Sequence, residues 1–543
     1  MKNTLLFNPV SIVHDRSIEI FRQFLPGWDI KCVYNPKLKW FSDKKRHING
    51  NFFLNDGYPP EGLFDNVKAL ILFSAQPRMP HLNLIQKAAL LGVPVIAIEE
   101  VLQMMLEQGF VNEYFLPVDH LLVASEYEQQ KFIETGVPGD VVETTGCVFR
   151  YKKLYSSDSN KKEALRKELK ISDNKLVAVL SLAYLTPSGE TPAVRKELLA
   201  CISKGLPARY ELIVKPHPAE QDKNIYEFIK RHAPDAKIAN QYTPIDHILD
   251  IADVLFNRGN SQVIIDALQR NVPVVAVPAG RKTFFHNLLD NMIVNSGGDI
   301  KNILHIVEER KMDVYAPIFK THLAVSPELA LEKTLDRIKK IANKGELYKP
   351  EERMSLLSIF WAFTGCMPQA LKALSLAHKK FSCIPFSNEI EKLFLCRVDL
   401  KDILLLQKWL RGSYMEWILQ SLWIRKIYLR GEKLQAMERE WLADYPPRMN
   451  REIFLPYVPL LYWCYIRSNM TTEGRNLIES LYSEYSFIKD IERCKQNIGN
   501  HNRQDYAVMY YWHGRIGYAL QLTIKTFLSK MKIFTHRKYY EEE

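Results

Sequence analysis

Cysteine is sparse and scattered in this chain, with eight among 543 residues, at positions 32, 147, 201, 366, 383, 396, 464 and 494. No two form a CxxC pair and none has a histidine at zinc-ligand spacing, so a zinc finger is excluded and buried reduced thiols are expected. Long apolar runs are missing too. No window reaches the roughly 18 uninterrupted apolar residues of a membrane-spanning helix. The opening MKNTLLFNPVSIVHD lacks the basic segment, apolar stretch and small-residue cleavage site of a secretory signal. These absences predict a cytoplasmic protein, at most peripheral on the inner face of the cytoplasmic membrane. Long polar low-complexity runs are also absent, which confines expected disorder to the ends.

Acidic residues are the minority charge. Lys plus Arg number 73 against 62 Asp plus Glu, a formal charge of +11, which points to a polyanionic partner: nucleotide phosphates, an acidic glycan or an anionic membrane surface. The lack of finger spacing, aromatic RNA-binding motifs or a basic recognition helix points away from nucleic acid. At this length the chain exceeds what one core supports, so two α/β lobes plus a third region are expected.

The first half alternates short apolar runs with amphipathic stretches, the pattern of βα units around a parallel sheet. Strands are predicted at Thr4–Phe7, Ala69–Phe73, Val93–Ile98 and His120–Val123, and helices near His14–Phe24, Leu82–Leu91 and Ser125–Thr135. The charged segment SSDSNKKEALRKELKISDNK reads as a linker and surface helix. A second α/β run follows it. Its strands are predicted near Leu176–Leu182, Tyr210–Val214, Val254–Phe256 and Val272–Val277, with a helix at Ser261–Gln269. After KPEERM the alternation stops, and Pro368–Lys379 and Ser421–Trp441 carry apolar residues at helical spacing. The expected domains are therefore 1–160 and 161–345, both Rossmann-like, and 346–543, all α-helical.

Candidate chemistry concentrates in the second lobe. In Leu212-Ile213-Val214-Lys215-Pro216-His217-Pro218 an apolar strand ends in a stiff turn, where two prolines flank His217 and set how its imidazole is presented. Open α/β sheets bind ligands at that edge, although a His between prolines also serves as a plain turn residue. Lys215 is placed to neutralise a phosphate. In Asn257-Arg258-Gly259-Asn260-Ser261 the glycine permits close backbone approach and Ser261 can cap the following helix, whose N-terminus offers N–H groups to a phosphate. A capped helix with no ligand is the rival reading. Ser188-Gly189-Glu190-Thr191, after the lobe's first strand, is either a donor-phosphate loop or an ordinary surface loop.

The order KPHP, an "aDv" strand, a Ser-bearing loop, a DAL helix and the NVPVVAVP strand resembles the second lobe of GT-B glycosyltransferases. The nearest group comprises capsule Kdo (3-deoxy-D-manno-octulosonic acid) transferases, bacterial sialyltransferases and CDP-glycerol glycerophosphotransferases. ASEYEQQKFIETGVPGDVVETTGCV resembles the stretch that closes their first lobe. The resemblance covers about 280 residues discontinuously and leaves out the helical third. It implies that His217 and Pro218 contact a cytidine nucleotide and that Ser261, with Gly259 and Asn260 beside it, holds phosphate. It also implies a first-lobe motif of two acids and a glycine after a strand. Val95-Ile96-Ala97-Ile98-Glu99-Glu100-Val101 has both acids but Val101 where the glycine belongs, and Asp56-Gly57 is a competing site. Transfer to a sugar hydroxyl needs a carboxylate to take its proton, and neighbours on a strand face opposite ways, so one of Glu99 and Glu100 is expected to act.

Arg515–Arg537 has several Lys and Arg, no acidic residue, and apolar residues at helical intervals. It reads as a basic amphipathic helix, either lying on an anionic membrane or packed on its own domain. The leading expectation is a metal-independent GT-B enzyme, with no cofactor beyond a CMP- or CDP-activated donor, that transfers a cytidine-activated sugar acid to a surface glycan or glycoconjugate. Polyol-phosphate transfer, a UDP-sugar 2-epimerase-like activity and a non-catalytic helical scaffold are the alternatives.

Overall fold

Parallel strands are covered on both faces, so their sequences become continuous apolar runs, and the two sheets of this protein are built from such runs. In the computed structural model the described residues are 3–410 without 10–11, 35–50, 55–58, 74–78, 100–116, 135–136, 151–158, 184–190, 219, 221, 259–260, 262, 278–291, 295–296, 311, 364–366, 382 and 395–399, plus four positions between 472 and 479.

The chain divides into two compact units, one formed by Met1–Phe149 with Glu328–Glu543 and the other by Arg150–Pro327. In the first unit, β1 (Asn3–Asn8), β2 (Trp28–Tyr34), β3 (Asn51–Phe53), β4 (Val67–Phe73), β5 (Val95–Ile98), β6 (His120–Val123) and β7 (Val142–Thr144) make one parallel sheet, ordered β3-β2-β1-β4-β5-β6-β7. The chain builds outward from β1, then crosses back to β4, which puts the topological switch point between β1 and β4. Helices α1 (Ile12–Phe24), α2 (Met79–Leu91) and α3 (Glu126–Glu134) connect the strands. Phe7, Phe21 and Phe73 are wholly buried, and the Phe7 ring lies 5.1 Å from Phe21 and 5.7 Å from Phe73.

The second unit opens with α4 (Ser159–Glu168), then repeats the architecture on a smaller scale. Its strands are β8 (Leu176–Ser181), β9 (Tyr210–Lys215), β10 (Lys237–Ile238), β11 (Val254–Asn257) and β12 (Val274–Ala276), all parallel and ordered β10-β9-β8-β11-β12. Its switch point therefore falls between β8 and β11. The connecting helices are α5 (Pro192–Gly205), α6 (Ile225–His232), α7 (Ile245–Leu249) and α8 (Val263–Leu268), followed by α9 (Asp299–Arg310) and α10 (Ala316–His322). A Cβ on Gly205 would sit 2.3 Å from the carbonyl oxygen of Gly297, so only glycine lets these backbones meet. On β12, Val274 N–H donates to the Tyr315 hydroxyl oxygen, and that hydroxyl donates to the Val274 carbonyl, each at 2.8 Å.

Helix α11 (Pro327–Lys344) carries the chain back into the first unit. Its Arg337 pairs with Glu143 at 2.6 Å and with Glu346 at 3.3 Å. Asp119, just before β6, accepts from Val95 N–H at 2.7 Å, from Tyr348 N–H at 2.7 Å and from the Arg353 guanidinium. Helices α12 (Pro350–Phe363) and α13 (Met367–Lys380) pack on each other and on α2, where Trp361 Nε1 donates to Gln86 at 2.9 Å. They are followed by α14 (Ser387–Phe394) and α15 (Leu400–Leu410). The expected helix at 421–441 and the basic segment 515–537 lie outside the described residues. Among the described residues no helix is long and apolar enough to cross a membrane.

Candidate active site

The carboxyl edge of the second sheet collects polar groups that the strands themselves exclude. β8 and β11 are apolar until their last residues, Ser181 and Asn257, and there Asn257 Nδ2 donates to Ser181 Oγ at 2.8 Å across the switch point. Arg258 follows directly and is buried. β9 ends in Lys215, also buried, whose ammonium donates to the carbonyls of Pro216 and Gln241, each at 2.8 Å. Burial pushes this amine from its ordinary 10.5 down to about 8.

His217 stands next, half-buried, with Pro218 exposed beyond it. Burial, then the charge of Lys215, holds its imidazole below the usual histidine range, with Glu220 opposing. The ring is therefore neutral at pH 7, and a neutral imidazole has one donor nitrogen and one acceptor nitrogen. The turn that carries it closes through Glu220 N–H donating to the His217 carbonyl at 3.0 Å.

Glu220 is itself fixed from below. Its Oε2 meets Arg195 Nη2 of α5 at 2.6 Å, and the same nitrogen donates to the Ala183 carbonyl at 2.8 Å. Glu220 Oε1 accepts from Asp222 N–H at 2.9 Å. Both side chains are buried.

Thr191 is the N-cap of α5, its Oγ1 accepting from Val194 N–H at 3.3 Å, and Ser261 precedes α8 with Oγ accepting from Val263 N–H at 3.4 Å. β8, β9 and β11 are parallel and end at one edge of the sheet, so Thr191, Lys215, His217, Pro218 and Ser261, which end or follow them, belong to a single rim. Ser188, Gly189, Gly259 and Asn260 lie outside the described residues.

In the first unit Glu99 follows β5 directly, is 4% exposed, and its N–H donates to the Leu122 carbonyl at 2.9 Å. That bond extends the β5–β6 ladder by one residue, so Glu99 is held at the carboxyl edge of its sheet. Glu100, Asp56 and Gly57 lie outside the described residues.

Reading residues in order misses Arg195, Glu220 and Ser181, and gives no role to Asn257 and Arg258 although both lie in the segment it marks. Ser181 and Asn257 leave a signal: a polar residue ending a continuous apolar strand on each side of a switch point. The pair Arg195–Glu220 leaves none.

No family model matches the chain. Over 161 residues it is 23% identical to a 3-deoxy-D-manno-octulosonic acid transferase of Chlamydia pneumoniae, a match that spans 28% of this chain and 35% of that relative. Among solved structures it is similar to a glycosyltransferase from Rickettsia africae, at 14% identity and a TM-score of 0.43, covering 63% of this chain and 98% of that one. It is also similar to the wall teichoic acid polymerase TagF, at 11% identity and a TM-score of 0.43, covering 63% and 89%. A third is the UDP-GlcNAc 2-epimerase of Neisseria meningitidis bound to UDP-GlcNAc, at 12% identity and a TM-score of 0.45, covering 63% and 100%.

Proposed function

We propose that this chain is a GT-B glycosyltransferase that takes a cytidine-activated sugar acid, Kdo or a sialic-acid-like nonulosonic acid, and transfers it to a surface glycan or glycoconjugate. The observation that carries this is the rim after β8, β9 and β11, where a neutral His217 stands between prolines beside buried Lys215, with Arg258 and Ser261 on the next loop. The sequence similarity to a Kdo transferase supports the same class.

On this reading the nucleotide occupies the rim. His217 hydrogen-bonds the nucleotide, and Lys215 and Arg258 offset its phosphate charge. Ser261 and Thr191 present hydroxyls beside the phosphate. A carboxylate, for which Glu99 and Glu100 are the candidates, accepts the proton of the acceptor hydroxyl as that oxygen bonds to the anomeric carbon. The bond from the anomeric carbon to the phosphate oxygen breaks in the same step, and its electron pair leaves with CMP. No metal enters this scheme.

Incubating the protein with CMP-Kdo, a CMP-nonulosonic acid or CDP-glycerol, each with a glycan acceptor, and following nucleotide release tests the reading. CMP release with sugar attached to acceptor from a CMP-sugar is expected. CMP released from CDP-glycerol alone would make the enzyme a polyol-phosphate transferase instead.

A further inference from the structure

Arg195 and Glu220 are 1% and 2% exposed as side chains. Opposite charges so removed from water are expensive to bury, and an apolar pair of similar volume often fills such a place with equal or higher stability. What the pair does instead is join loops. Arg195 Nη2 binds the Ala183 carbonyl, where the loop after β8 departs, and the carboxylate of Glu220, three residues beyond His217. Glu220 in turn ties down the His217 carbonyl through its own N–H and Asp222 N–H through its Oε1. One guanidinium thus ties Ala183, just past the end of β8, to the turn that carries His217.

We propose that Arg195 and Glu220 are positioning residues of the nucleotide site, holding the His217 turn in register with Ala183 at the exit of β8 without touching the ligand. This rests on the cytidine-nucleotide reading above. It assigns the pair to recognition rather than to stability.

The test is the double variant Arg195→Met/Glu220→Leu in the full chain, followed by thermal unfolding, by CMP titration calorimetry, and by amide hydrogen exchange at residue 220. The expected result is a melting temperature at or above that of the unaltered protein, at least tenfold weaker CMP binding, and at least tenfold faster exchange at residue 220. His217→Ala added to this background should weaken binding less than threefold further, because a displaced His217 has little left to lose.

A folded double variant that binds CMP within twofold of the original overturns the proposal. If the unaltered protein binds no cytidine nucleotide, the functional reading fails by itself, and exchange at residue 220 still decides: unchanged exchange in the double variant removes the positioning role. Should the apolar pair fail to fold, Arg195→Gln/Glu220→Gln is read in the same way, with a threefold loss of CMP binding as the threshold.

Discussion

Lys215 is the residue at which burial and charge conflict most openly. Its ordinary value of 10.5 falls to about 8 in the folded protein, so between these two pH values the unfolded chain binds the proton that the folded chain has released. Stability then rises as pH climbs from about 8 towards 10.5, and the gain is absent below the lower value. Lys215→Met removes this one contribution. The melting temperature of the original, measured against that of Lys215→Met, should improve between pH 7.5 and pH 10, and a difference constant over that window would show that Lys215 keeps an ordinary pKa. The acid of the first unit is tested at the same scale. Glu99→Gln and Glu100→Gln, made separately, should give one enzyme slowed on the order of a hundredfold and one that works, since loss of a general base has about that effect. Nucleotide affinity should survive both. Full turnover in both variants moves the search to Asp56.

The legible strands were those of continuous apolar sequence, whereas β2 (WDIKCVY), buried at its end but interrupted by Asp29 and Lys31, was missed. β4, β5 and β6 have buried faces on both sides and stand out as VKALILF, VIAI and HLLV. The two-residue β10 is half-exposed and β3 and β7 are three residues each, so these edge strands have no run to betray them. His217 was visible because its prolines are neighbours in sequence. Arg195 and Glu220 were not, being 25 residues apart and joined only by the fold. The return of the chain after α11 was equally hidden, because a contact that accompanies it, from Arg353 to Asp119, spans 234 residues. That contact makes a prediction at this scale. Asp119 gathers Val95, Tyr348 and Arg353 in a buried place, so Asp119→Ala should destabilise the first unit by about 3–5 kcal/mol by leaving the Arg353 charge uncompensated. Arg353→Met with Asp119→Asn should recover part of the loss. Urea unfolding of the three proteins decides it, and a single variant within about 1 kcal/mol of the original would mean that the pair does not hold the helices to the sheet.

The whole molecule carries a formal charge of +11, and two of the polyanions that fit it are a nucleotide and a membrane. The second concerns Lys525, Lys530, Lys532, Arg537 and Lys538, where each cation near an anionic surface contributes roughly 1 kcal/mol and salt weakens the attachment. Co-sedimentation with anionic liposomes should favour the full chain over one ending at Tyr511, and equal sedimentation would return the segment to its own domain. The first polyanion is the central claim, that the rim after β8, β9 and β11 holds a cytidine nucleotide through His217. Its most direct test is calorimetric titration of CMP, CDP, UDP and GDP into the full chain and into His217→Ala. CMP or CDP should bind most tightly, and a loss of about 1–3 kcal/mol from the missing hydrogen bond should weaken that binding roughly 5- to 150-fold in a folded variant. A preference for UDP or GDP, or cytidine-nucleotide affinity unchanged in His217→Ala, would contradict it.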